Sequence, residues 1–469
     1  MSSSIQFILN REAVSTSLSP GLLVLDFLRN HRQLSGTKEG CKEGDCGACV
    51  VLVGTMDSSR VTYRPVTSCL MPLAELHGKH LVTVEGLNMA NPSPVQQAII
   101  ETGATQCGFC TPGIVVSLTG LLMENAKLDK KKVREALSGH LCRCTGYRSL
   151  KEAGDQIIEM VTNTGVEALT EAQYLPAYFN DIPGRLNDIG RPAESDGTAR
   201  EVLIAGGTDL FVQHGDEIPD LNIGVLNNRT RMSEIRRGDD GLHIGALTTF
   251  EAFAKHPDVQ AMLPAITANM SLIASRQIRN RATLGGNIIN ASPIGDMTIL
   301  LMALNAELVF DSAQGIRTVL LTRFFESYKQ FDMSPGELLT EIRLPWMPNG
   351  SRFNWEKVSK RKYLDIASVN SGCLLKVTDG LIETFTLTMG GVAPVPLYLR
   401  QMSDFFVGKS VSRAVLHEAF SVLQSEINPI SDIRGSAKYK RLLARQLLLA
   451  HFIRFFPDQF DVRACYESS

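Results

Sequence analysis

Apolar and polar residues alternate in two short runs near the start of the chain, SIQFILN (4–10) and EAVSTSL (12–18), a period-two pattern that predicts a β-hairpin. Ser19 and Pro20 stand where a helix cap and first turn are wanted, ahead of the apolar run in GLLVLDFLRNH (21–31). Later the pattern becomes helical. Pro112 and Gly113 open IVVSLTGLLMEN, Asp129 precedes KKKVREAL, and Ser149 precedes LKEAGDQIIEMV. Between 166 and 199 no period is sustained and Gly, Pro and Asn recur, which predicts a linker over the surface. EVLIAGGTDLFVQHG (201–215) then reads as a short buried strand, a glycine pair and an apolar helix.

With 469 residues and 44 % apolar content, the chain is expected to divide into three or four domains. The net charge of −2, with both signs interspersed, argues against a nucleic-acid or anionic-membrane partner. No apolar run approaches bilayer length, and the first residues lack a basic segment followed by an apolar one, so a cytoplasmic location is expected.

Eight of the ten cysteines lie between Cys41 and Cys144, and in a reducing compartment such clustering points to metal ligands before disulfides. Cys41, Cys46, Cys49 and Cys69 follow C-x4-C-x2-C-x19-C, the spacing of a plant-type [2Fe-2S] site. Two sulfide-bridged irons need four thiolates, and a loop made pliable by Gly40, Gly44 and Gly47 can supply three of them while bringing its N–H groups to the sulfurs. Structural zinc fits the four-residue gap poorly. With the flanking hairpin, this predicts a β-grasp ferredoxin domain. Cys107, Cys110, Cys142 and Cys144 follow C-x2-C-x31-C-x-C in a helical setting, where the spacing leaves iron–sulfur and an all-cysteine zinc site both open.

QCGFCTPG and GHLCRCTGY, after a plant-type motif, resemble the two-cluster region of the molybdenum hydroxylases, the xanthine dehydrogenase and aldehyde oxidase family. The resemblance implies [2Fe-2S] at the second site too, and an electron relay. The glycine pair Gly206–Gly207 and a second element, RNRATLGGNIINASPIGDM (279–297), have the makings of diphosphate-binding turns, although strand-to-helix turns often hold two glycines for steric reasons alone. No G-x-G-x-x-G is present, which argues against a Rossmann domain. Both elements resemble the PCMH-type FAD-binding domain of the same family, and GELLTEIRLP, KVSKRKYLDIA, GGVAPVPLYLR and SDIRGSAKYKRLLA extend the likeness into a C-terminal α+β flavoprotein domain.

The implied organisation is an α+β multidomain chain: a plant-type ferredoxin domain at 1–85, a helical [2Fe-2S]-binding domain at 86–165, the linker at 166–199, the FAD-binding domain at 200–350 and the C-terminal domain at 351–469. The family's FAD contacts fall on Leu203, Ile204, Ala205, Gly206, Gly207, Thr208, Asp209, Leu210, Ile273, Thr283, Leu284, Gly285, Gly286, Asn287, Asp296, Leu339 and Lys357. Lys357, Lys360, Arg361 and Lys362 form a basic run; ordinarily a solvated face, it lies near the flavin in this family and helps hold NAD. This chain has Tyr363, Leu364 and a single Asp365 where the family often has two acids. Tyr328 is placed over the flavin by the same likeness. The scattered histidines and Cys373 are read as structural, and Cys465 as incidental.

The resemblance further implies the small subunit of a split, prokaryotic xanthine dehydrogenase. It carries no substrate-binding catalytic residue of its own. A large partner chain holds molybdopterin, in a heterotetramer of two small and two large chains. Electrons pass through the two clusters to FAD and on to NAD⁺, with the Cys107 set nearer molybdenum, Gln106 toward the pterin, and the Cys41 set nearer FAD. An aldehyde or N-heterocycle oxidoreductase would use the same relay, and a redox-inactive zinc scaffold is the reading from another class.

Overall fold

The structure, a computed structural model, describes residues 4–190, 202–226 and 229–460. The chain forms two compact units, Met1–Arg229 with Ser275–Ala282, and Thr230–Ala274 with Thr283–Ser469.

The first unit opens with a mixed five-stranded sheet in the order Glu12–Thr16, Ile5–Leu9, His80–Val82, Val50–Asp57, Arg60–Thr67. The expected hairpin is present, with Ile5 opposite Thr16, and Ile5–Leu9 pairs in parallel with His80–Val82. Phe7, Val51 and Leu81 from the sheet and Val24, Phe27 and Leu28 from the crossing helical segment form one apolar core, which completes the β-grasp. That segment is helical only from Val24, with Leu23 in the cap position and no side-chain cap. Ser19 does not cap it: its hydroxyl donates to the Pro219 carbonyl at 2.5 Å, a partner 200 residues away that no local pattern reveals.

The helical part packs Pro94–Glu101, Thr111–Leu122, Lys130–Ser138 and Arg148–Met160 around Ile114, Leu118, Leu150 and Ile157. Ser93 and Gln96 close a capping box, and the Asp129 carboxylate accepts from the Lys132 N–H at 2.8 Å. The last helix begins at Arg148 rather than after Ser149, because Tyr147 takes the left-handed conformation and ends the preceding loop.

Residues 166–190 are not an open linker. Val166–Glu171, Ala177–Asn180 and Ile182–Ile189 are helical, and Leu169, Leu175 and Phe179 are buried in the helical core. Their apolar side chains are buried against a core built mainly by other elements, so the helices need no sustained period of their own. Residues 191–199 of that stretch, and Cys465, lie outside the described residues. Val202–Ile204 then pairs in parallel with Ile223–Val225, and a short helix, Leu210–His214, follows the glycine pair.

The second unit holds an antiparallel sheet in the order Gly315–Leu320, Glu307–Ser312, Leu338–Pro345, Gly241–Gly245, Ile235–Arg237, and another of Arg352–Val358, Val369–Thr378, Leu381–Gly390 and Leu397–Tyr398. Leu387 and Met389 of the latter pack with Leu416 and Leu448 from the helices Arg413–Glu426 and Ala437–Phe455. Among the described residues, no helix is long and apolar enough to cross a membrane.

Candidate functional site

Cys41, Cys46 and Cys49 lie on one loop, whose tight course uses Gly44 at φ +79° and Gly47 at φ +70°. Cys69 comes from the short helical turn Ser68–Leu70 after the strand Arg60–Thr67. Cys49 and Cys69 are buried with their sulfurs 3.3 Å apart, and Cys41 shares a hydrogen bond with Cys46. Backbone N–H groups of Glu43, Asp45 and Cys46 point at the Cys41 sulfur, the Glu43 N–H at 3.4 Å. The Cys46 thiol and these amides lower the Cys41 thiol below its ordinary value.

The second set is presented from helix ends. Cys110 occupies the cap position of Thr111–Leu122, and Cys142 and Cys144 lie between the helices Lys130–Ser138 and Arg148–Met160. Cys107 pairs with Cys144, and Cys110 with Cys142. Burial and the Cys142 thiol push Cys110 up to about 12, whereas Cys107 is lowered by the Phe109 N–H and the Cys144 thiol. Cys107 and Cys144 are exposed while Cys110 and Cys142 are buried, so this set opens to the surface on one side.

Both sets thus gather as two pairs of thiols. Among the described residues no three His, Cys, Asp or Glu side chains converge as a single-ion site would require. A [2Fe-2S] centre takes two thiolates on each of two irons, and amides directed at the sulfurs suit its negative charge, so the residues present fit that group.

The FAD-contact residues expected from the sequence divide between the units. In the first, Leu203–Leu210 form the strand end, the turn and the start of the short helix. Gly206 lies so close to the Arg281 carbonyl that a Cβ has no room, which gives this glycine a packing reason.

In the second unit the remaining contacts form one neighbourhood. Gly285 and Gly286 are not in a loop. They sit in the helix Leu284–Ile289, where the Thr283 hydroxyl accepts from the Gly286 N–H. The Gly285 N–H donates to the Ala246 carbonyl at 2.8 Å, and the Ala246 N–H donates to the Thr340 carbonyl, beside Leu339, at 2.9 Å. Asn287 Oδ1 accepts from the Thr298 N–H at 3.0 Å, near Asp296. Lys357 Nζ donates to Asp296 Oδ2 at 2.7 Å and to the Leu272 carbonyl, beside Ile273, at 3.0 Å. Lys357, with its side chain 2 % exposed, is therefore set apart from the solvated face that a basic run ordinarily forms, while Lys360, Arg361 and Lys362 are exposed. Tyr328 is exposed.

Buried histidines behave as structural groups. His80 lies between Tyr63 and the Asn10 carbonyl, and His451 between Ser371 and Asn354; burial lowers both to about 3. Cys373 is fully buried.

The pattern gives no sign of the strap Ser275–Ala282. Gln277 reaches Ser117, Asn280 reaches the Pro65 carbonyl, and Arg276, Arg279 and Arg281 pair with Glu124, Glu135 and Glu75. The available signal was three arginines in a segment whose neighbours are apolar, a composition that reads as surface unless the partners are known.

Residues 7–74 match the 2Fe-2S iron-sulfur cluster binding domain and 83–155 the [2Fe-2S] binding domain. Residues 182–347 match the FAD binding domain in molybdopterin dehydrogenase, starting inside the stretch expected to be linker, and 356–455 the CO dehydrogenase flavoprotein C-terminal domain. Fold and thiol sets thus define an iron–sulfur flavoprotein that transfers electrons through [2Fe-2S] clusters and FAD. The xanthine dehydrogenase of Emericella nidulans is 29 % identical over 97 % of this chain and 38 % of its own length, and aldehyde oxidase 2 of Macaca fascicularis 29 % over 96 % and 39 %. The chain therefore spans about two fifths of these relatives. Among solved structures, carbon monoxide dehydrogenase from Hydrogenophaga pseudoflava aligns with TM-score 0.51 and 28 % identity, over 54 % of this chain and 88 % of that one. Quinoline 2-oxidoreductase from Pseudomonas putida 86 aligns with TM-score 0.50 and 25 % identity, over 55 % and 89 %. The chain belongs to the molybdenum hydroxylase family, as its iron–sulfur and FAD part.

Proposed function

We propose that this chain is the electron-transfer subunit of a xanthine dehydrogenase. It takes electrons from a molybdopterin centre on a large partner chain during hydroxylation of hypoxanthine and xanthine to urate, and delivers them to NAD⁺ in the cytoplasm. Its domains are 1–85, 86–165, 200–350 and 351–469, and two small and two large chains form the assembly. Cys41, Cys46, Cys49 and Cys69 hold one [2Fe-2S] cluster, and Cys107, Cys110, Cys142 and Cys144 the other. The clusters carry single electrons, and flavin joins them to a two-electron acceptor. The observation that carries the reading is the gathering of each cysteine set into two thiol pairs. Exposure of Cys107 and Cys144 suits the second cluster to receive electrons from a partner.

The flavin contacts are Leu203–Leu210, Ile273, Thr283–Asn287, Asp296, Leu339 and Lys357. Lys357 and Asp296 lock each other in place at 2.7 Å, while the exposed Lys360, Arg361 and Lys362 offer charge to a dinucleotide phosphate. The resemblance of large parts of the chain to xanthine dehydrogenases favours the purine substrate; that to aldehyde oxidase 2 and quinoline 2-oxidoreductase sustains the second reading, an aldehyde or N-heterocycle substrate on the same relay.

Anaerobic titration of the isolated holo chain with NADH tests the acceptor. Flavin absorbance should bleach first and iron–sulfur absorbance after it, without any oxidation of xanthine. Bleaching by dithionite but not by NADH would remove NAD⁺ from the proposal, and unaided xanthine oxidation would remove the split enzyme.

A further inference from the structure

A buried ion pair, Arg281 and Glu75, lies beside the core that joins the first thiol set to the strand entering Gly206. Cys49, Cys69, Leu70, Ile204 and Phe211 belong to a single apolar cluster, with Leu210 and Ile278 packed against it. Arg281, 6 % exposed, adjoins this packing. Its Nη1 and Nη2 meet the two carboxylate oxygens of buried Glu75 at 2.7 and 2.8 Å. The same Nη2 also reaches the Leu70 carbonyl at 3.0 Å and the Gly206 carbonyl at 2.7 Å. Leu70 follows Cys69 in the chain, so one nitrogen links the residue next to a cysteine of the first thiol set to the turn assigned to flavin.

A bidentate pair with Glu75 already satisfies the guanidinium's charge. Two carbonyls from separate loops add nothing to that neutralisation, and they crowd three acceptors onto a nitrogen with two hydrogens. Ion pairing for stability alone is also a weak explanation, since apolar replacement of a buried pair is often neutral or stabilising.

We propose that Arg281 is a positioning residue for internal electron transfer, its guanidinium forming the hydrogen-bonded link from Cys69 through the Leu70 carbonyl to Gly206. This rests on the reading above, in which the Cys41 set holds a cluster and the Gly206 turn contacts FAD. Each event oxidises the cluster by one electron and reduces the flavin by one; two events with one proton from solvent complete the flavin's two-electron reduction. Arg281 gains and loses nothing in this balance. It is a bridge and not a carrier.

Two holo variants separate the bridge from the ion pair. Arg281→Lys keeps a cation opposite Glu75 but lacks the planar fork that spans both carbonyls. Glu75→Gln removes the pair's negative partner and leaves the two carbonyl contacts. Iron and flavin content, cluster EPR spectra and midpoint potentials are measured first, and wild-type protein without iron or flavin would refute the functional reading itself. A flash-generated deazaflavin radical then supplies one electron, and its redistribution between flavin and cluster is followed by absorbance. The Lys variant should keep its EPR signals and potentials but redistribute the electron more slowly, while the Gln variant keeps the wild-type rate. Wild-type exchange in the Lys variant, or equal slowing in both, would overturn the proposal. Should the Lys variant fail to load its cofactors, Arg281→Gln is judged by the same criteria.

Discussion

Asp296→Ala should damage the second unit more than removal of the lysine that faces it. Lys357 Nζ has two partners, Asp296 Oδ2 at 2.7 Å and the Leu272 carbonyl at 3.0 Å, and its side chain is 2 % exposed. Deleting the carboxylate leaves a buried ammonium held by one carbonyl, and breaking a buried pair in this way costs about 3–5 kcal/mol. Lys357→Met leaves Asp296 with Asn370 Nδ2 at 2.6 Å and a side chain 13 % exposed, so the loss should be nearer about 1.5–3 kcal/mol, that of a hydrogen bond to a charged group. The double variant strands neither charge and should cost less than the sum of the single changes, by a coupling energy of about 0.5–3 kcal/mol. Both tryptophans of the chain, Trp346 and Trp355, lie in this unit, so urea unfolding followed by tryptophan fluorescence reports on it selectively. The apoprotein is the right material, because bound flavin would add its own stabilisation. Additive losses, or a smaller loss for Asp296→Ala than for Lys357→Met, would refute the reasoning.

Freshly prepared protein should contain four irons and one FAD per chain by metal and flavin analysis; zinc at either site would overturn the cluster assignment. Cys110→Ser should abolish one cluster's EPR signal and leave the other, since the two thiol sets are separate, and loss of both would point to a shared site or to misfolding. Burial keeps His451 neutral, with its folded pKa lowered from 6.5 to about 3, so its contribution is complete above pH 6.5 and lost as pH falls toward 3. The unfolding free energy from urea titrations should therefore drop on acidification by up to about 1.4 kcal/mol per pH unit for this group, and His451→Gln should flatten that slope. An unchanged slope in the variant would show that the folded state does not lower the pKa of His451.

Local pattern and spacing determined much of this protein. The hairpin at 5–16, the cap at Asp129 and the ligand spacing from Cys41 to Cys69 depend on neighbours only a few residues away, or on a count of residues along the chain. That is why the ferredoxin part was legible from the sequence. Spacing alone left the second cysteine set open, since a C-x2-C and a C-x-C pair separated by 31 residues are compatible with zinc or iron; its motifs' resemblance to the molybdenum hydroxylases pointed to [2Fe-2S], and the fold shows Cys107 meeting Cys144 and Cys110 meeting Cys142. Tertiary structure alone decided that 166–190 is helical, since those segments are stabilised by burying Leu169 and Phe179 in a core built by other elements. It also decided the fate of the charges. A basic run such as that of Lys357 ordinarily reads as a solvated face, and nothing local singles out Arg281, yet each is buried against a carboxylate more than 60 residues distant, Asp296 and Glu75. An ion pair of that range leaves no period and no spacing in the sequence, because the desolvation it must offset exists only once the chain has folded.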